Sequence, residues 1–312
     1  MRLAHFSDLH LLSGAGVRWL ELANKRWIGA MNLLTNRARH YHTAAFEDMV
    51  ADLNAQRIDH ILCTGDVTNL ALQQEFEFAR TLFDRLALGP GDVTVIPGNH
   101  DAYVAEGVPL FAAMFASYAT TDAGWEWTDA DRDPEDPHDD LHWPIVRIRG
   151  SLALVATSTS RATPWFTAYG RLGAGQVARL AKVLADPRLA DKARVVAIHH
   201  PPAGKRAYSR IRGLKDHEAF ATVIRGVGAD LVVHGHEHRD MTEHLAGPAG
   251  DVVVRGVPSG TYEHGQPERT ARYRIFEIEG GRIVGETERV WDREQHTYGL
   301  VAPAQQGQVE AI

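Results

Sequence analysis

Five short polar blocks hold the residue types that bind metal ions and transfer protons. Their carboxylate, imidazole and amide groups suit zinc, manganese or iron, whereas a thiolate site would need more cysteine than the single Cys63. Two such ions about 3.5–4 Å apart can activate water and hold both the attacking and the leaving oxygen of a phosphoryl displacement. The blocks therefore predict a metal site that could support a phosphoryl displacement. In chain order they are Asp8-Leu9-His10, Gly65-Asp66-Val67-Thr68-Asn69, Gly98-Asn99-His100-Asp101, His199-His200-Pro201-Pro202 and His234-Gly235-His236-Glu237-His238.

Each block taken alone also has a purely structural explanation. Asp66 after Gly65 is typical of a helix N-cap, and Gly98 followed by Asn99 is typical of a turn. The block from 234 to 238 is harder to explain in this way, because three histidines in five residues are rarely needed for folding. The occurrence of all five blocks in one chain favours a functional site.

The blocks directly follow apolar runs of strand length. Between these runs apolar residues recur at helical spacing, and this alternation predicts an α/β domain. Ligands gather at the carboxyl ends of strands in such sheets, so we expect the five blocks to converge. Asp8 and His10 are two residues apart, as are His236 and His238, so on extended backbone each pair points the same way. The predicted strands are Leu3 to Phe6, His60 to Thr64, Val93 to Ile96, Val195 to Ile198 and Leu231 to Val233. The helical segments are Ala45 to Leu53, Leu72 to Leu86 and Val177 to Leu184.

The second half of the chain adds further strands and two segments without a regular pattern. The apolar runs at Leu152 to Ala156 and Asp251 to Val254 predict two strands, and a hairpin around Gly280-Gly281 joins Arg272 to Ile278 with Arg282 to Val290. The acidic segment 129–140 is expected to be a solvated loop. We predict one domain over 1–295 and a flexible tail over 296–312.

Composition limits the classes of protein that fit. With 44% hydrophobic and 23% charged residues, the chain has ordinary globular composition. A formal net charge of -7 argues against a nucleic-acid partner bound through a broad basic surface. The single cysteine excludes an intramolecular disulfide, and no apolar run approaches the roughly 18 residues of a membrane span. We expect a soluble cytoplasmic protein.

The five blocks together resemble the calcineurin-like metallophosphoesterase superfamily. Its ordered pattern is Asp-x-His, Gly-Asp-x-x-Asn or -Asp, Gly-Asn-His-Asp or -Glu, a histidine after a strand, and Gly-His-x-His. The matching residues of this chain run from Asp8 to His238. The resemblance implies an α/β fold of four layers (αββα), in which two central mixed sheets are flanked by helices. It also implies two divalent or trivalent transition metal ions, manganese, iron or zinc.

The resemblance also implies a role for each matching residue. Asp8, His10 and His238 would hold the first metal, Asp66 would bridge to the second, and the second site would be completed by Asn99, His199 and His236. A hydroxide bridging the metals would be the nucleophile. His100 would be the catalytic imidazole, with Asp101 orienting it. Asn69 and His200 are candidates for residues just behind the ligands, and His234 is expected to be structural.

Within the superfamily, Gly65 to Asn69 and Gly98 to Asp101 are closest to bacterial cyclic-nucleotide phosphodiesterase-like members. The predicted substrate is therefore a small-molecule phosphodiester such as a 3′,5′-cyclic nucleotide. One insertion, 15–42, departs from that group: its part from Arg18 to His42 carries five Lys/Arg and one acid, with two tryptophans. It is interpreted as a helical flap. The alternative is contact of 18–42 with a membrane surface, which would make a lipid-linked phosphodiester or pyrophosphate the substrate. A non-catalytic metal-binding scaffold is the alternative outside the enzymes.

Overall fold

Two six-stranded sheets form the centre of the molecule. The computed structural model describes residues 1–12, 26, 40–136, 139–263 and 265–301. In this part of the chain the strands are β1 (Arg2–Phe6), β2 (His60–Cys63), β3 (Val93–Val95), β4 (Ile145–Arg149), β5 (Leu152–Ala156), β6 (Ala193–Ala197), β7 (Leu231–His234), β8 (Met241–Gly247), β9 (Gly250–Gly256), β10 (Arg272–Glu279), β11 (Arg282–Asp292) and β12 (Thr297–Leu300). The helices are α1 (Thr43–Ala55), α2 (Gln73–Phe83), α3 (Gly107–Met114), α4 (Ala174–Leu184), α5 (Gly204–Ala207) and α6 (His217–Val227).

Both sheets are mixed, and each contains a run of neighbouring parallel strands that the sequence predicts. The first sheet has the order β12-β11-β10-β1-β2-β3, in which β1, β2 and β3 are parallel and β10 is antiparallel to β1. The second has the order β4-β5-β6-β7-β9-β8, in which β5, β6 and β7 are parallel. Parallel strands are joined by crossover connections, so the chain leaves each of them at the same edge of its sheet.

The sheets pack face to face because their central strands are apolar on both faces. In β2, Leu62 points into the cluster between the sheets, whereas its neighbours Ile61 and Cys63 point to the helices outside. In β6, Val195 points inward and Val196 outward in the same alternation. The expected four-layer αββα fold is thereby confirmed.

Helices cover the outer faces through one apolar stripe each. The buried face of α1 is formed by Ala45, Phe46, Met49, Val50 and Leu53, at the spacing of a helix that faces a core on one side. It packs on the outer face of the first sheet together with α2, and α4 and α6 cover the second sheet in the same way.

The structure adds three strands that the apolar pattern did not predict: β4, β8 and β12. Strand β8 lies at the edge of its sheet and alternates half-buried with exposed residues, so its sequence is not apolar enough to predict a strand. Strand β12 pairs with β11 and buries Tyr298, whose hydroxyl donates to the carbonyl of Ala45 at 3.1 Å. The expected flexible tail therefore cannot begin at 296, and 302–312 lie outside the described residues.

The acidic segment 129–140 is not a solvated loop throughout, contrary to expectation. Asp139 is buried and receives two hydrogen bonds from the guanidinium of Arg179, at 2.7 and 2.8 Å. Arg179 also donates to the backbone carbonyls of Trp143 and Asp131. An arginine of α4, the helix that covers the second sheet, thus fastens the segment.

No helix in the described ranges is long and apolar enough to cross a membrane.

Candidate metal centre

All five polar blocks meet where the carboxyl ends of the parallel strands in one sheet face those in the other. The blocks after β1, β2 and β3 come from the first sheet, and those after β6 and β7 come from the second. The amide of Asp8 donates to the carbonyl of Gly65 at 2.9 Å, and the amide of His236 donates to Asp8 Oδ2, also at 2.9 Å. The convergence predicted from strand ends is therefore present in the structure.

The backbone at several ligands is left-handed. This corrects the expectation that the pairs Asp8/His10 and His236/His238 lie on extended backbone. Eight described non-glycine residues have positive φ, and five of them are predicted ligands. Such conformations cost about 1–3 kcal/mol each and persist only where surrounding contacts impose them. The side chains of each pair therefore converge through tight turns. The five are Asp8 (φ 55°), His10 (44°), Asp66 (53°), His236 (72°) and His238 (52°).

Two glycines allow the backbone to approach the ligands closely. A Cβ at position 98 would collide with the carboxylate of Asp66, and one at position 235 would collide with Ser7 and come within 2.5 Å of Asp8 Oδ2. Side chains at these two positions would fill the space that holds the carboxylates. Gly98 and Gly235 are thus required by the geometry of the centre.

The first ligand group consists of Asp8, His10, Asp66 and His238. One ligand atom from each lies within 4.8 Å of the others, and all four residues are buried. His238 Nε2 lies 3.2 Å from Asp8 Oδ1 and 3.1 Å from His10 Nε2. Asp8 Oδ1 makes no hydrogen bond within the described part of the chain. Imidazole nitrogens and carboxylate oxygens converging in this way fit a metal ion better than a hydrogen-bond network.

The second group consists of Asn99, His199 and His236, with Asp66 beside it. Asn99 Oδ1 lies 3.1 Å from His199 Nε2 and 2.7 Å from His236 Nδ1. His199 Nε2 is 3.5 Å from Asp66 Oδ2, and the same carboxylate oxygen is 3.8 Å from His10 Nε2. Asp66 therefore faces both groups through one atom.

Attraction between the Asp66 carboxylate and the neighbouring imidazoles offsets the cost of burying their charges. Burial alone would raise the pKa of the Asp66 carboxyl, but the imidazoles of His199 and His100 hold it well below its usual value. Burial alone would lower the pKa of His199, but the Asp66 carboxylate raises it to about 9. The protein interior thus holds an ionised carboxylate that attracts a cation. A metal ion would displace the proton on His199, because only the deprotonated ring ligates.

His100 lies at the opening of the first group, with its ring centroid 4.6 Å from that of His10. Its Nδ1 is 2.6 Å from the backbone carbonyl of Asn69, which can only accept, so Nδ1 carries the proton and Nε2 points away from this bond. Asn69 thus lies at the predicted position behind the site, and it contacts His100 through its backbone carbonyl.

Asp101 does not orient the ring of His100 in the way expected. Its buried carboxylate accepts four hydrogen bonds, from the amides of Val67, Thr68 and Gly98 and from the Thr68 hydroxyl, at 2.8 to 3.2 Å. Burial raises the pKa of this carboxyl to about 6 despite these donors. Asp101 holds the second and third blocks together, and the Asn69 carbonyl fixes the ring.

His200 lies next to the second group, with its ring centroid 4.4 Å from that of His236. Both of its ring nitrogens are hydrogen-bonded to the protein: Nε2 to the Ala168 carbonyl at 3.1 Å and Nδ1 to the Thr159 hydroxyl at 2.7 Å. With His199 and His236 it also forms a buried group of three residues that could hold a metal ion, so its place behind the ligands stays a prediction. His234 is buried, and its Nδ1 is bonded to the Gly235 carbonyl, as expected of a structural residue.

Sequence reasoning missed two contacts that hold ligand rings. The Tyr41 hydroxyl is 2.9 Å from His238 Nδ1, and the Thr64 carbonyl is 2.7 Å from His199 Nδ1. Thr64 follows β2 directly, so its carbonyl at a strand end was a signal that could have been used. Tyr41 carried no such signal, because its approach to His238 depends on the fold.

The insertion 15–42 is described only at Arg26 and from residue 40 onward. Arg26 is buried and donates to the backbone carbonyls of Leu70 and Ala71 at 2.9 and 2.7 Å. These contacts and that of Tyr41 fix the described points of the insertion against the domain. The expectation that the insertion is a helical flap, and the alternative that 18–42 contacts a membrane, otherwise lie outside the described residues.

Comparison with known proteins gives one family and several similar folds. Residues 1–240 match the calcineurin-like phosphoesterases. A dimetal phosphatase from Danio rerio superposes with a TM-score of 0.56 at 13% identity, covering 92% of this chain and 94% of that one. The purple acid phosphatase PPD1 from yellow lupin (Lupinus luteus) seeds superposes with a TM-score of 0.51 at 10% identity, covering 95% of this chain and 54% of that one. No curated protein sequence matches this chain. At such low identity the two structures support the fold alone.

Proposed function

This chain belongs to the calcineurin-like phosphoesterase family, and from that membership we propose that it hydrolyses a phosphodiester at the site between its two ligand groups. A 3′,5′-cyclic nucleotide is the first substrate to test, because the blocks at 65–69 and 98–101 are similar to those of cyclic-nucleotide phosphodiesterase-like enzymes. The observation that carries the proposal is the position of Asp66 Oδ2, 3.8 Å from His10 Nε2 and 3.5 Å from His199 Nε2.

The donor set fits two transition metal ions that share one carboxylate. Asp8, His10 and His238 would hold the first ion, Asn99, His199 and His236 the second, and Asp66 both. A bound metal pair supplies an activated water molecule and Lewis acidity toward the phosphoryl oxygens. The donors themselves, oxygen and imidazole nitrogen without thiolate, are compatible with manganese, iron or zinc.

The residue that can move a proton at this site is His100. Because its Nδ1–H donates to the Asn69 carbonyl, Nε2 is left to hold a proton and deliver it to the leaving oxygen of the ester. An imidazole titrates near neutrality, which suits such a transfer. The carboxylate of Asp101 keeps the second and third blocks in register, so that His100 stays beside the first group.

A hydrolysis panel on metal-reconstituted protein tests the proposal. The substrates are cyclic AMP, cyclic GMP, a glycerophosphodiester and a lipid-linked pyrophosphate, each with and without chelator. We expect chelator-sensitive turnover of the diesters, with the cyclic nucleotides leading. Turnover confined to the lipid-linked pyrophosphate would overturn the cyclic-nucleotide assignment and leave the metal-dependent chemistry standing.

A metal-binding scaffold without catalysis is separated from the enzyme by a second measurement. Metal content is determined by elemental analysis, and turnover is measured on bis(p-nitrophenyl) phosphate with the same sample. Two metals per chain with turnover support the phosphodiesterase. Two metals per chain with no turnover of this or any panel ester would identify a scaffold.

A further inference from the structure

Two segments beside the metal centre form a single surface, which we call the rim loops: 161–171 and 204–215, of which the second begins with the short helix α5. Backbone hydrogen bonds join them, from the amide of Ala168 to the carbonyl of Ile211 at 2.7 Å and from the amide of Gly170 to the carbonyl of Gly213 at 3.1 Å. A third bond, from the amide of Lys215 to the carbonyl of Gly170, closes the pairing at 2.9 Å. The rim loops are therefore a built feature of the fold.

The rim loops adjoin the second ligand group. His200 donates to the carbonyl of Ala168 and lies against the ring of His236. Arg206 pairs at 3.3 Å with Glu237, which stands between the two histidines of the last polar block. Whatever binds the rim loops is thus brought to the edge of the metal centre.

The rim loops expose an unusual amount of apolar side chain. Seven large hydrophobic residues are prominently exposed in the described part of the chain, and four of them belong to these loops. The exposed fractions are 55% for Trp165, 78% for Phe166, 67% for Tyr208 and 54% for Ile211. Clustered exposure of this kind marks an interaction surface, whereas single exposed residues need no explanation.

Two of the exposed rings, those of Trp165 and Phe166, occupy the tip of a turn. The amide of Thr167 donates to the carbonyl of Pro164 at 3.2 Å, so Trp165 and Phe166 are the central residues of the turn. Phe166 has φ of 64°, in the left-handed region that favours glycine. A bulky apolar residue in a strained position, pointing into solvent, contributes nothing to the core. This combination of strain and exposure is typical of a functional position rather than of core packing.

The charges of the rim loops are all of one sign. Residues 161–171 contain two Lys/Arg and 204–215 contain five, and neither loop contains Asp or Glu. The whole chain has a net charge of -7, so this surface differs in sign from the rest of the protein. Aromatic side chains at a tip, with cations around them, are the combination that binds the headgroup region of anionic bilayers.

We propose that the rim loops bind the surface of an anionic lipid bilayer and thereby hold the metal centre against it. Trp165 and Phe166 enter the interfacial region while exposed Lys and Arg side chains of the same two segments contact lipid phosphates. Single-stranded nucleic acid is the alternative for a basic aromatic surface. It fits less well, because Ile211 offers no ring for base stacking and two adjacent rings at one tip are suited to insertion.

Vesicle co-sedimentation of the full chain tests this inference without any turnover. Vesicles of phosphatidylcholine alone are compared with vesicles of equimolar phosphatidylcholine and phosphatidylglycerol, at low and high salt. We expect binding to the anionic vesicles that weakens with salt, since the contacts of the Lys and Arg side chains are screened. Because the readout is binding, it can fail while the proposed phosphodiesterase activity stands, and the reverse also holds.

Two variants assign the binding to the rim loops and not to another surface. Phe166→Gly combined with Trp165→Ser should lower partitioning by about tenfold or more, because the inserted rings are lost. Its melting temperature should not fall, since glycine relieves the positive φ at 166. The matched control is Val284→Ser with Leu300→Ser, which removes apolar residues of similar exposure, 55% and 68%, from the first sheet.

Each possible result of these experiments either supports or overturns the inference. Loss of binding in the rim-loop variant, with binding kept in the control, supports the inference. Equal binding of wild type and rim-loop variant overturns it, as does equal binding to neutral and anionic vesicles or no vesicle binding at all. Retention of single-stranded DNA in a mobility-shift assay, without vesicle binding, would assign the surface to nucleic acid instead.

Discussion

The two ligand groups are built from different donors and are held in different ways. The first has two carboxylates, Asp8 and Asp66, while the second has the neutral amide of Asn99 and only a share of Asp66. His238 of the first group is held by the hydroxyl of Tyr41, and His199 of the second is held by the backbone carbonyl of Thr64.

This difference has a consequence for the protonation of the two rings. A carbonyl can only accept, so Thr64 fixes the proton of His199 on Nδ1 and reserves Nε2 for a ligand. A hydroxyl can donate or accept, so Tyr41 permits either tautomer of His238 until an ion selects one. The second group is therefore preorganised, whereas the ring of His238 in the first group takes its final tautomer only when an ion binds. The two carboxylates give the first group the stronger negative charge. We expect the two groups to differ in affinity and in preferred metal.

The largest effect should follow from removing the carboxylate that both groups share. Asp66→Ala takes away the oxygen that faces His10 and His199, so both ions should be lost and turnover abolished. Metal per chain is measured by elemental analysis, and turnover with a chromogenic diester. Asp59→Ala, on the exposed turn before β2, is the control. Retention of one full metal with normal turnover in Asp66→Ala would mean that the carboxylate is not shared.

Single-group variants sharpen the comparison, because each should remove one ion only. Asp8→Asn should empty the first group and leave the second occupied, whereas Asn99→Ala should do the opposite. Cobalt substitution monitored by visible absorption reports the two sites separately. If either variant lost both ions to the same extent as Asp66→Ala, the groups would have to be treated as one cooperative site.

Removing the imidazole beside the first group should affect rate without affecting metal. His100→Ala should retain both ions and lose about 10²–10⁴ in rate, the contribution expected of a general acid. The loss should be most severe for esters with poor leaving groups, since these need the proton most. A plot of log rate against leaving-group pKa measures this dependence. Loss of metal in this variant would make His100 a ligand.

Sequence pattern was sufficient for the central strands and for the positions of the five blocks, whereas the order of the layers came from the family resemblance. The central strands are short apolar runs such as His60 to Cys63, and each ends directly at a polar block, so local pattern determines both. The convergence of the blocks followed from strand direction alone.

What could not be predicted depends on contacts between distant parts of the chain. The left-handed backbone at Asp8 and His236 is imposed by the packing of the two sheet edges, not by these residue types. Asp139 looks like one acid among several in a solvated run, and only the fold brings Arg179 to it. Strand β12 has one inward side chain, Tyr298, too few to give an alternating pattern.

The smallest effect is expected from Tyr41→Phe, the variant that tests most directly whether the two groups differ in preorganisation. Tyr41→Phe keeps the ring packed between His10 and Tyr262, with centroids 5.0 and 5.5 Å away, and removes only the oxygen 2.9 Å from His238 Nδ1. The affinity for the first metal should fall by about 10-fold, the usual cost of losing a partner behind a ligating histidine, and the affinity for the second should not change.

Metal titrations followed by calorimetry resolve the two affinities, and Tyr262→Phe is the control because its ring neighbours that of Tyr41 without a bond to a ligand ring. If Tyr41→Phe weakened both sites equally, the hydroxyl would be acting on the shared carboxylate. If it weakened neither, the tautomer of His238 would be set by the ion alone, and the difference in preorganisation between the groups would be larger than the hydrogen bonds imply.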